Sequence, residues 1–269
     1  MAETVAAALP TFAEFRAPPS WRAIEFLSDL HLSEATPRTF ESLATHLRCT
    51  SADAVFILGD LFEVWVGDDA RHAGFEAECA AMLADASSRR FIAFMAGNRD
   101  FLVGAELLDH CGVHHLADPT VLLAFDQRLL LTHGDALCLS DVAYQRFRAE
   151  VRGMAWQRAF LAQSLAERRE AARRIRAESR HLKTMQRPGE WFDVDAAEAA
   201  RWMRAARAPV MVHGHTHAPA THELAPGLVR HVLSDWDFDP PGAAARGDVL
   251  RWQRDGLARM PPAPAHSPC

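Results

Sequence analysis

Seven side chains able to bind a metal ion occur in short motifs spread along the chain. They are four histidines, two aspartates and one asparagine: Asp29, His31, Asp60, Asn98, His133, His215 and His217. Imidazole nitrogens combined with carboxylate and amide oxygens suit Mn, Fe or Zn better than a soft metal. The residue types therefore predict a transition-metal centre.

Seven ligands are too many for one ion, but they fit two ions that share a carboxylate. With Asp60 as the bridge, each ion has four protein ligands and keeps positions for water. Two ions about 3.5–4 Å apart lower the pKa of a shared water and stabilise phosphoryl oxygens during an in-line attack. The predicted reaction is phosphoester hydrolysis, with Asp60, Asn98 and His215 at the reacting centre.

Arg99 follows the candidate ligand Asn98 directly. A guanidinium can meet two phosphate oxygens with its forked N–H groups, which predicts a substrate-binding and catalytic role. The structural alternative is an ion pair with Asp100 or with the acidic GDD loop.

Six short apolar stretches lie just before polar motifs, and they predict strands buried on both faces. They are Ile24–Leu27, Ala54–Leu58, Phe91–Met95, 129–132, 210–212 and 232–233. Helical patterns at 39–48 and 75–86 lie between some of them, which predicts an α/β fold with helices layered on a sheet. Ligand sites in such folds collect beyond the carboxyl ends of the strands.

Two of the motifs place candidate ligands two residues apart, Asp29 with His31 and His215 with His217. In an extended chain, residues two apart share one side. We therefore expect each pair to direct both side chains into the same site.

The segment 144–187 has no strand pattern and predicts helices. It carries twelve Arg or Lys residues against four Glu, in a chain whose formal net charge is −6. Trp156, Phe160, Leu161 and Leu165 have the spacing of one helical face. The pattern fits a cap that covers a lipid substrate, and it fits equally an ordinary amphipathic helix packed on the main domain.

The resulting domain prediction has four parts. It places a flexible extension at 1–20, a core at 21–143 and 188–258, the helical cap at 144–187 and a disordered Pro-rich tail at 259–269.

No apolar run reaches the roughly 20 residues that cross a bilayer, and the first residues lack the pattern of a secretory signal. Five widely spaced cysteines without a CxxC pair are typical of a cytoplasmic protein without a disulfide framework. No basic excess indicates nucleic acid, and no obligate protein partner is evident.

The ordered motifs D-x-H, GD, GNR, a later His and GHTH resemble the calcineurin-like metallophosphoesterase family over about residues 26–235. The resemblance implies a sheet sandwich flanked by helices, with a helical cap insertion. It also implies that the first ion is held by Asp29, His31, Asp60 and His217. The second would be held by Asp60, Asn98, His133 and His215.

Longer motifs are similar to one branch of that family, which hydrolyses UDP-2,3-diacylglucosamine in lipid A biosynthesis. They are SDLHL, ILGDLFEVWVGDD, GNRDFLVG, LLTHGDALCLSDVAYQ and HGHTHAPATHEL. The similarity implies release of UMP and 2,3-diacylglucosamine 1-phosphate (lipid X), with two Mn²⁺ ions. It further implies a peripheral position on the cytoplasmic face of the inner membrane.

The same resemblance implies a set of substrate contacts. They are Asn98, Arg99, Asp141, Ser179, Lys183, Gln186 and His215. Lys183 and Gln186 stand where enterobacterial members have Asn and Lys, and the SDWD motif stands where those members have GAWH.

Two other functions remain open from the sequence. One is a related phosphoesterase that acts on soluble nucleotides or phosphoproteins. The other is a non-catalytic binding scaffold, although such scaffolds tend to lose ligands and all seven are present here.

Overall fold

The computed structural model describes residues 8–185, 192–240 and 244–264, and for 179–185 it describes the backbone alone. The strands are β1 (Ala13–Arg16), β2 (Ile24–Leu27), β3 (Ala54–Leu58), β4 (Phe91–Met95), β5 (His114–Leu116), β6 (Thr120–Ala124), β7 (Gln127–Thr132), β8 (Val210–His213), β9 (Ala220–Ala225), β10 (Leu228–Val232), β11 (Val249–Gln253) and β12 (Gly256–Met260). The helices are α1 (Pro37–Cys49), α2 (Gly74–Ser87), α3 (Ala105–Cys111), α4 (Val142–Val151), α5 (Met154–Leu161), α6 (Leu165–Met185) and α7 (Ala196–Ala206).

Two six-stranded mixed sheets form the centre of the fold. One has the order β1-β6-β7-β8-β10-β9 and the other β12-β11-β2-β3-β4-β5. Strands β2 to β5 are parallel, and β7, β8 and β10 are parallel in the other sheet. The carboxyl ends of the parallel strands in each sheet therefore open toward one edge, where their loops converge.

The sheets pack face to face and are covered by helices on their outer faces. Phe26, Phe56 and Met95 from one sheet meet Leu131 and Val212 from the other in the inner core. The opposite faces of β2, β3 and β4 pack against α1, α2 and α3, and α7 covers the second sheet. The predicted layered α/β sandwich is confirmed, and the burial of both sheet faces explains the uninterrupted apolar runs.

The long apolar runs predicted strands well. The strands β2, β3 and β4 have the predicted bounds, and β7 and β8 contain the predicted stretches 129–132 and 210–212. The strand β10 ends at Val232, so it shares one residue with the predicted stretch 232–233. The strands β1, β5, β6, β9, β11 and β12 were not predicted. Several of these lie at sheet edges, where polar residues alternate with apolar ones and no apolar run forms.

Two details of the predicted domain ends differ from the structure. Residues 13–16, placed in a flexible extension, form β1 and pair with β6 in parallel, because Phe15 packs against Phe56 and Phe91. At the other end, β12 continues to Met260 and pairs with β11, so the first residues of the predicted tail belong to the sheet.

Helices α4, α5 and α6 occupy the predicted insertion, and the division into core and cap stays a prediction. The expected single apolar face is wrong, because the chain begins a new helix at Leu165. Ser164 and Glu167 form a capping box there: the Glu167 carboxylate accepts from the Ser164 N–H, and Ser164 Oγ accepts from the Glu167 N–H. Trp156, Phe160 and Leu165 pack on the core.

The cysteines of the described residues are in two states. Cys79, Cys111 and Cys138 are buried free thiols, whereas Cys49 is disulfide-bonded, which the cysteine spacing does not predict.

Across the described residues, no helix combines the length and the apolar character needed to cross a membrane.

Candidate metal centre

Histidines from distant parts of the chain meet the carboxylates that follow β2 and β3. Asp29, His31 and His217 form one group whose ligand atoms lie within 4.8 Å of one another, and Asp29, Asp60 and His133 form a second. The Nε2 atom of His217 lies 3.2 Å from His31 Nε2 and 3.2 Å from Asp29 Oδ1. Because the groups share Asp29, they form one continuous centre.

Asn98 and His215 complete the second group. Asn98 Oδ1 lies 2.9 Å from His133 Nε2 and 2.8 Å from His215 Nδ1. The backbone N–H of His215 donates to Asp29 Oδ2 at 2.9 Å. The structure thus brings together all seven sequence-predicted ligands, at the carboxyl ends of β2, β3, β4, β7 and β8.

The two central carboxylates have different surroundings. Asp60 directs Oδ2 toward His31 Nδ1 at 4.0 Å and Oδ1 toward His133 Nε2 at 3.7 Å. The Oδ2 atom of Asp29 accepts from the Ser28 hydroxyl at 2.5 Å, while its Oδ1 is buried without a hydrogen-bond partner. A buried carboxylate oxygen that faces histidine nitrogens and lacks a donor fits a cation ligand.

The facing nitrogens of His31 and His217 also fit a cation. Burial and the nearby Arg99 charge lower the pKa of His31 to about 3. Burial alone would lower the pKa of His217 as well, but the carboxylates of Asp235 and Asp29 outweigh it and raise that pKa to about 9. The Nε2 atoms of both rings and Asp29 Oδ1 thus face one another, and together they would offer three ligand atoms to an ion.

His133 has one ring nitrogen fixed by the backbone. Its Nδ1 donates to the Leu58 carbonyl oxygen at 2.9 Å, which leaves Nε2 directed at Asn98 and Asp60. Burial disfavours the charged ring, but the carboxylates of Asp60 and Asp135 raise the pKa of His133 to about 9. The hydrogen bond to Leu58 selects the tautomer that a metal ligand needs.

The ligand loops do not continue the strands as expected. Five candidate ligands have left-handed backbones, with φ of 56° at Asp29, 48° at His31, 54° at Asp60, 69° at His215 and 52° at His217. The expectation that an extended chain aligns each pair is therefore wrong. The paired side chains meet because the backbone turns sharply after each strand.

Two glycines allow the loops to approach closely. A Cβ atom on Gly97 would lie 2.2 Å from Asp60 Oδ1, and one on Gly214 would lie 2.3 Å from Asp29 Oδ2. Both distances are far below normal contact. The glycines in the GN and GHTH motifs therefore make room for the carboxylates of the centre.

Arg99 lies beside the centre, with 12% of its side chain exposed. Its Nε is 3.6 Å from Asp60 Oδ2, and its Nη1 donates to Glu63 Oε2 at 3.3 Å. The predicted alternative partner, Asp100, is occupied elsewhere: its carboxylate accepts the backbone N–H groups of Leu61 and Gly97, each at 2.7 Å.

The predicted substrate contacts in the cap are only partly described. Asp141 caps α4, with its carboxylate accepting the Tyr144 N–H at 3.0 Å, and the Tyr144 ring lies 5.9 Å from the His215 ring. The side chains of Ser179 and Lys183, and all of Gln186, lie outside the described residues.

Sequence reasoning missed Asp235 as a partner of the centre. This buried carboxylate lies 3.5 Å from His217 Nδ1, on the side of the ring away from the other ligands. Arg246 donates to both Asp235 oxygens from Nε, at 3.0 and 2.9 Å. The SDWD motif after β10 marks Asp235 as a polar residue at a strand end, but it does not indicate that His217 is its partner.

Comparison with known proteins agrees with this geometry. Residues 24–219 match the calcineurin-like phosphoesterase family. The chain belongs to this family. Its groups of His and Asp ligands are those of a metallophosphoesterase.

Three relatives of this phosphoesterase share the name UDP-2,3-diacylglucosamine hydrolase. The one from Chromobacterium violaceum is 41% identical over 89% of this chain and 98% of its own length. The one from Xanthomonas axonopodis pv. citri is 42% identical, covering 87% and 96%. The one from Bordetella pertussis is 42% identical, covering 89% and 93%. The similarity thus spans nearly the whole length of these relatives.

The close approach at Gly97 leads to the first test. We expect Gly97→Ala to push Asp60 out of place and to lower bound metal at least tenfold, measured by elemental analysis after dialysis against Mn²⁺. Gly153→Ala is the control, because its added Cβ would lie 3.0 Å from the Glu150 carbonyl oxygen and 3.7 Å from that of Ala149, and would meet no candidate ligand. Full metal occupancy in Gly97→Ala would contradict the packing argument.

The contact between Asp235 and His217 leads to a second test of the metal centre. A carboxylate behind a ligating histidine fixes the ring and increases its basicity, and its removal typically weakens metal affinity about 10–100-fold. We expect that loss for Asp235→Asn in a competition titration with a chelator. Asp126→Asn, at an exposed ion pair with Arg254, should bind metal like the unaltered protein.

Proposed function

We propose that this chain hydrolyses the pyrophosphate bond of UDP-2,3-diacylglucosamine and releases UMP and 2,3-diacylglucosamine 1-phosphate (lipid X). The observation that carries the proposal is a complete His, Asp and Asn centre in a chain that aligns with 93–98% of the length of hydrolases named for this substrate. A scaffold without metal would not need the buried Asp29 Oδ1, which has no hydrogen-bond partner and faces histidine nitrogens.

The proposed ligand sets are the two that the family resemblance implies. Asp29, His31, Asp60 and His217 would hold one ion. Asp60, Asn98, His133 and His215 would hold the other. Support for Asp60 as the bridge comes from its two oxygens, which face different histidines.

Mn²⁺ is the proposed metal, as the resemblance to the family implies. Nitrogen and oxygen donors without a thiolate are compatible with Mn²⁺, and also with Fe and Zn. When bound, two such ions activate a water and neutralise charge on the phosphoryl oxygens.

The chain's own residues would bind and orient the diphosphate. Arg99 is partly desolvated, so its guanidinium would bind a phosphate oxygen more strongly than an exposed arginine does. Asn98 precedes Arg99 in the chain, and His215 Nδ1 lies 2.8 Å from Asn98 Oδ1, so both would contact the same group. The leaving group of a pyrophosphate is itself a phosphate, a stable anion, so no dedicated general acid is required.

The remaining proposed contacts lie in the cap. Asp141 begins α4, next to the Tyr144 ring that approaches His215. Ser179, Lys183 and Gln186 stay predictions that rest on the resemblance to the family.

We further propose that the protein lies on the cytoplasmic face of the inner membrane. Support comes from exposed apolar side chains among basic ones in the segment 139–161, including Val142 at 55% and Met154 at 67% exposure. Apolar side chains flanked by arginines favour an anionic bilayer surface.

Turnover of the proposed substrate is the third test. The protein with Mn²⁺ and UDP-2,3-diacylglucosamine should release UMP, and a chelator should stop the release. Asp60→Ala should lower kcat at least a thousandfold, because it removes a ligand from both ions. Absence of UMP together with good turnover of a simple phosphodiester would reject the substrate and leave the family assignment intact.

Sedimentation with vesicles is the fourth test. The protein should bind vesicles that contain anionic lipid, less so at high salt, and Val142→Glu with Met154→Glu should lower the bound fraction at least threefold. Both positions begin helices, where Glu is favourable, so folding should be preserved. Met260→Glu, on an exposed apolar residue of β12, is the matched control. Equal binding by all three proteins would contradict the proposed surface.

A further inference from the structure

One carboxylate connects the metal centre with the long basic helix α6. Glu63 Oε1 accepts from Arg176 Nε at 3.0 Å. Its Oε2 accepts from Arg99 Nη1 at 3.3 Å and lies 3.7 Å from His31 Nδ1. Glu63 therefore contacts a candidate ligand, the proposed phosphate-binding arginine and a cap helix at once.

The backbone that carries Glu63 is firmly held. The Asp100 carboxylate accepts the N–H groups of Leu61 and Phe62 at 2.7 and 3.3 Å. The N–H of Glu63 itself donates to the Leu32 carbonyl oxygen at 3.0 Å. Its position is thus set by the loops that present Asp29 and Asp60, and not by the cap.

Helix α6 docks through residues spaced four apart. Arg168, Ala172 and Arg176 share one face, and Arg168 and Ala172 are 3% and 6% exposed. Arg168 Nη1 donates to Asp69 Oδ1 at 2.9 Å. The ion pairs of Arg168 and Arg176 therefore lie about two turns apart on this face, and of these two the one to Glu63 also contacts Arg99.

The charges explain why a carboxylate is needed at this place. Arg99 and Arg176 are 12% and 17% exposed, so water screens their mutual repulsion incompletely. Glu63 offers one oxygen to each guanidinium, which lets two cations lie close together, and its single negative charge balances only one of the two arginines. A diphosphate has the charge and the number of oxygens to bind both.

We propose that Glu63 is a positioning residue that orients Arg99 toward the metal centre and couples it to cap helix α6 through Arg176. This inference rests on the proposed function, in which Arg99 binds the diphosphate. It assigns Arg176 as a second arginine next to the phosphate site, delivered by the cap.

The test compares Glu63→Gln with a variant that loosens the same helix elsewhere. Asp69→Asn removes the charge opposite Arg168 and does not alter the contacts of Arg99. We expect Glu63→Gln to lower kcat for UMP release at least tenfold, because Arg99 loses its orientation. Asp69→Asn should change kcat less than threefold and act mainly on KM.

A double-mutant cycle checks the route. If Arg176 acts through Glu63, then Arg176→Gln should cost at least fivefold in kcat/KM in the unaltered protein and less than twofold in the Glu63→Gln background. Additive losses, or equal effects of Glu63→Gln and Asp69→Asn on kcat, would overturn the coupling and leave Glu63 as a simple anchor of the helix.

Hydrogen exchange tests the coupling without substrate. Glu63→Gln should speed amide exchange both in α6 around Arg176 and in the loop at Arg99, whereas Asp69→Asn should speed it in α6 alone. Unchanged exchange at Arg99 in Glu63→Gln would reject the coupling. If the unaltered protein releases no UMP, the proposed function fails, and the exchange measurement still decides whether Glu63 couples the two elements.

Discussion

The centre depends on a backbone that leaves the β conformation as soon as its strands end. The candidate ligands with a left-handed φ are Asp29, His31, Asp60, His215 and His217. For residues with a side chain this conformation costs about 1–2 kcal/mol each, so other interactions must hold it. Hydrogen bonds between neighbouring loops do so: the Asp29 N–H donates to the Gly59 carbonyl oxygen, the His31 N–H to that of Asp60, and the Trp236 N–H to that of Asp29. Each ligand loop is fixed by the next one, and the fold itself sets the ligand geometry.

Buried charge is the second constraint, and its balance differs within the centre. Burial alone would raise the pKa of Asp135, but the guanidinium of Arg148, 2.8 Å away, and the His133 ring hold it well below its usual range. Burial and the charge of Asp60 raise the pKa of Asp100 to about 7, and burial also raises the pKa of Asp60. The negative charge of Asp135 is thus balanced by its neighbours. At Asp60 the nearby Arg99 and His133 do not outweigh burial, and a divalent cation would supply further positive charge there.

The sequence predicted those parts of the molecule that depend on neighbouring residues. Buried runs such as Ala54–Leu58 became strands with the predicted bounds, and the residues that follow them became the ligands. The edge strand at Ala13–Arg16 was not predicted, because the aromatic partners of Phe15 lie far away in the sequence and no local pattern reveals them. The contacts of Glu63 and Asp235 were not predicted, for a related reason. Both stand in recognised motifs, but Arg176 lies 113 residues from Glu63, and no local pattern predicts which carboxylate a distant guanidinium will find.

The long helix α6 of the basic insertion uses its two sides differently. On the inner side of α6, arginines are paired with carboxylates of the loop after β3 and of α2: Arg168 with Asp69, Arg169 with Glu76 and Arg176 with Glu63. On the outer side, Arg173 is 74% exposed and has a neighbour on its own helix, Glu170, as an ion-pair partner. The inner arginines fasten an ordinary amphipathic helix to the main domain. Arg173 and Arg174 remain exposed on the outer side. The helix thus packs on the core with one face and presents charged side chains of both signs to solvent on the other, as the amphipathic interpretation predicts.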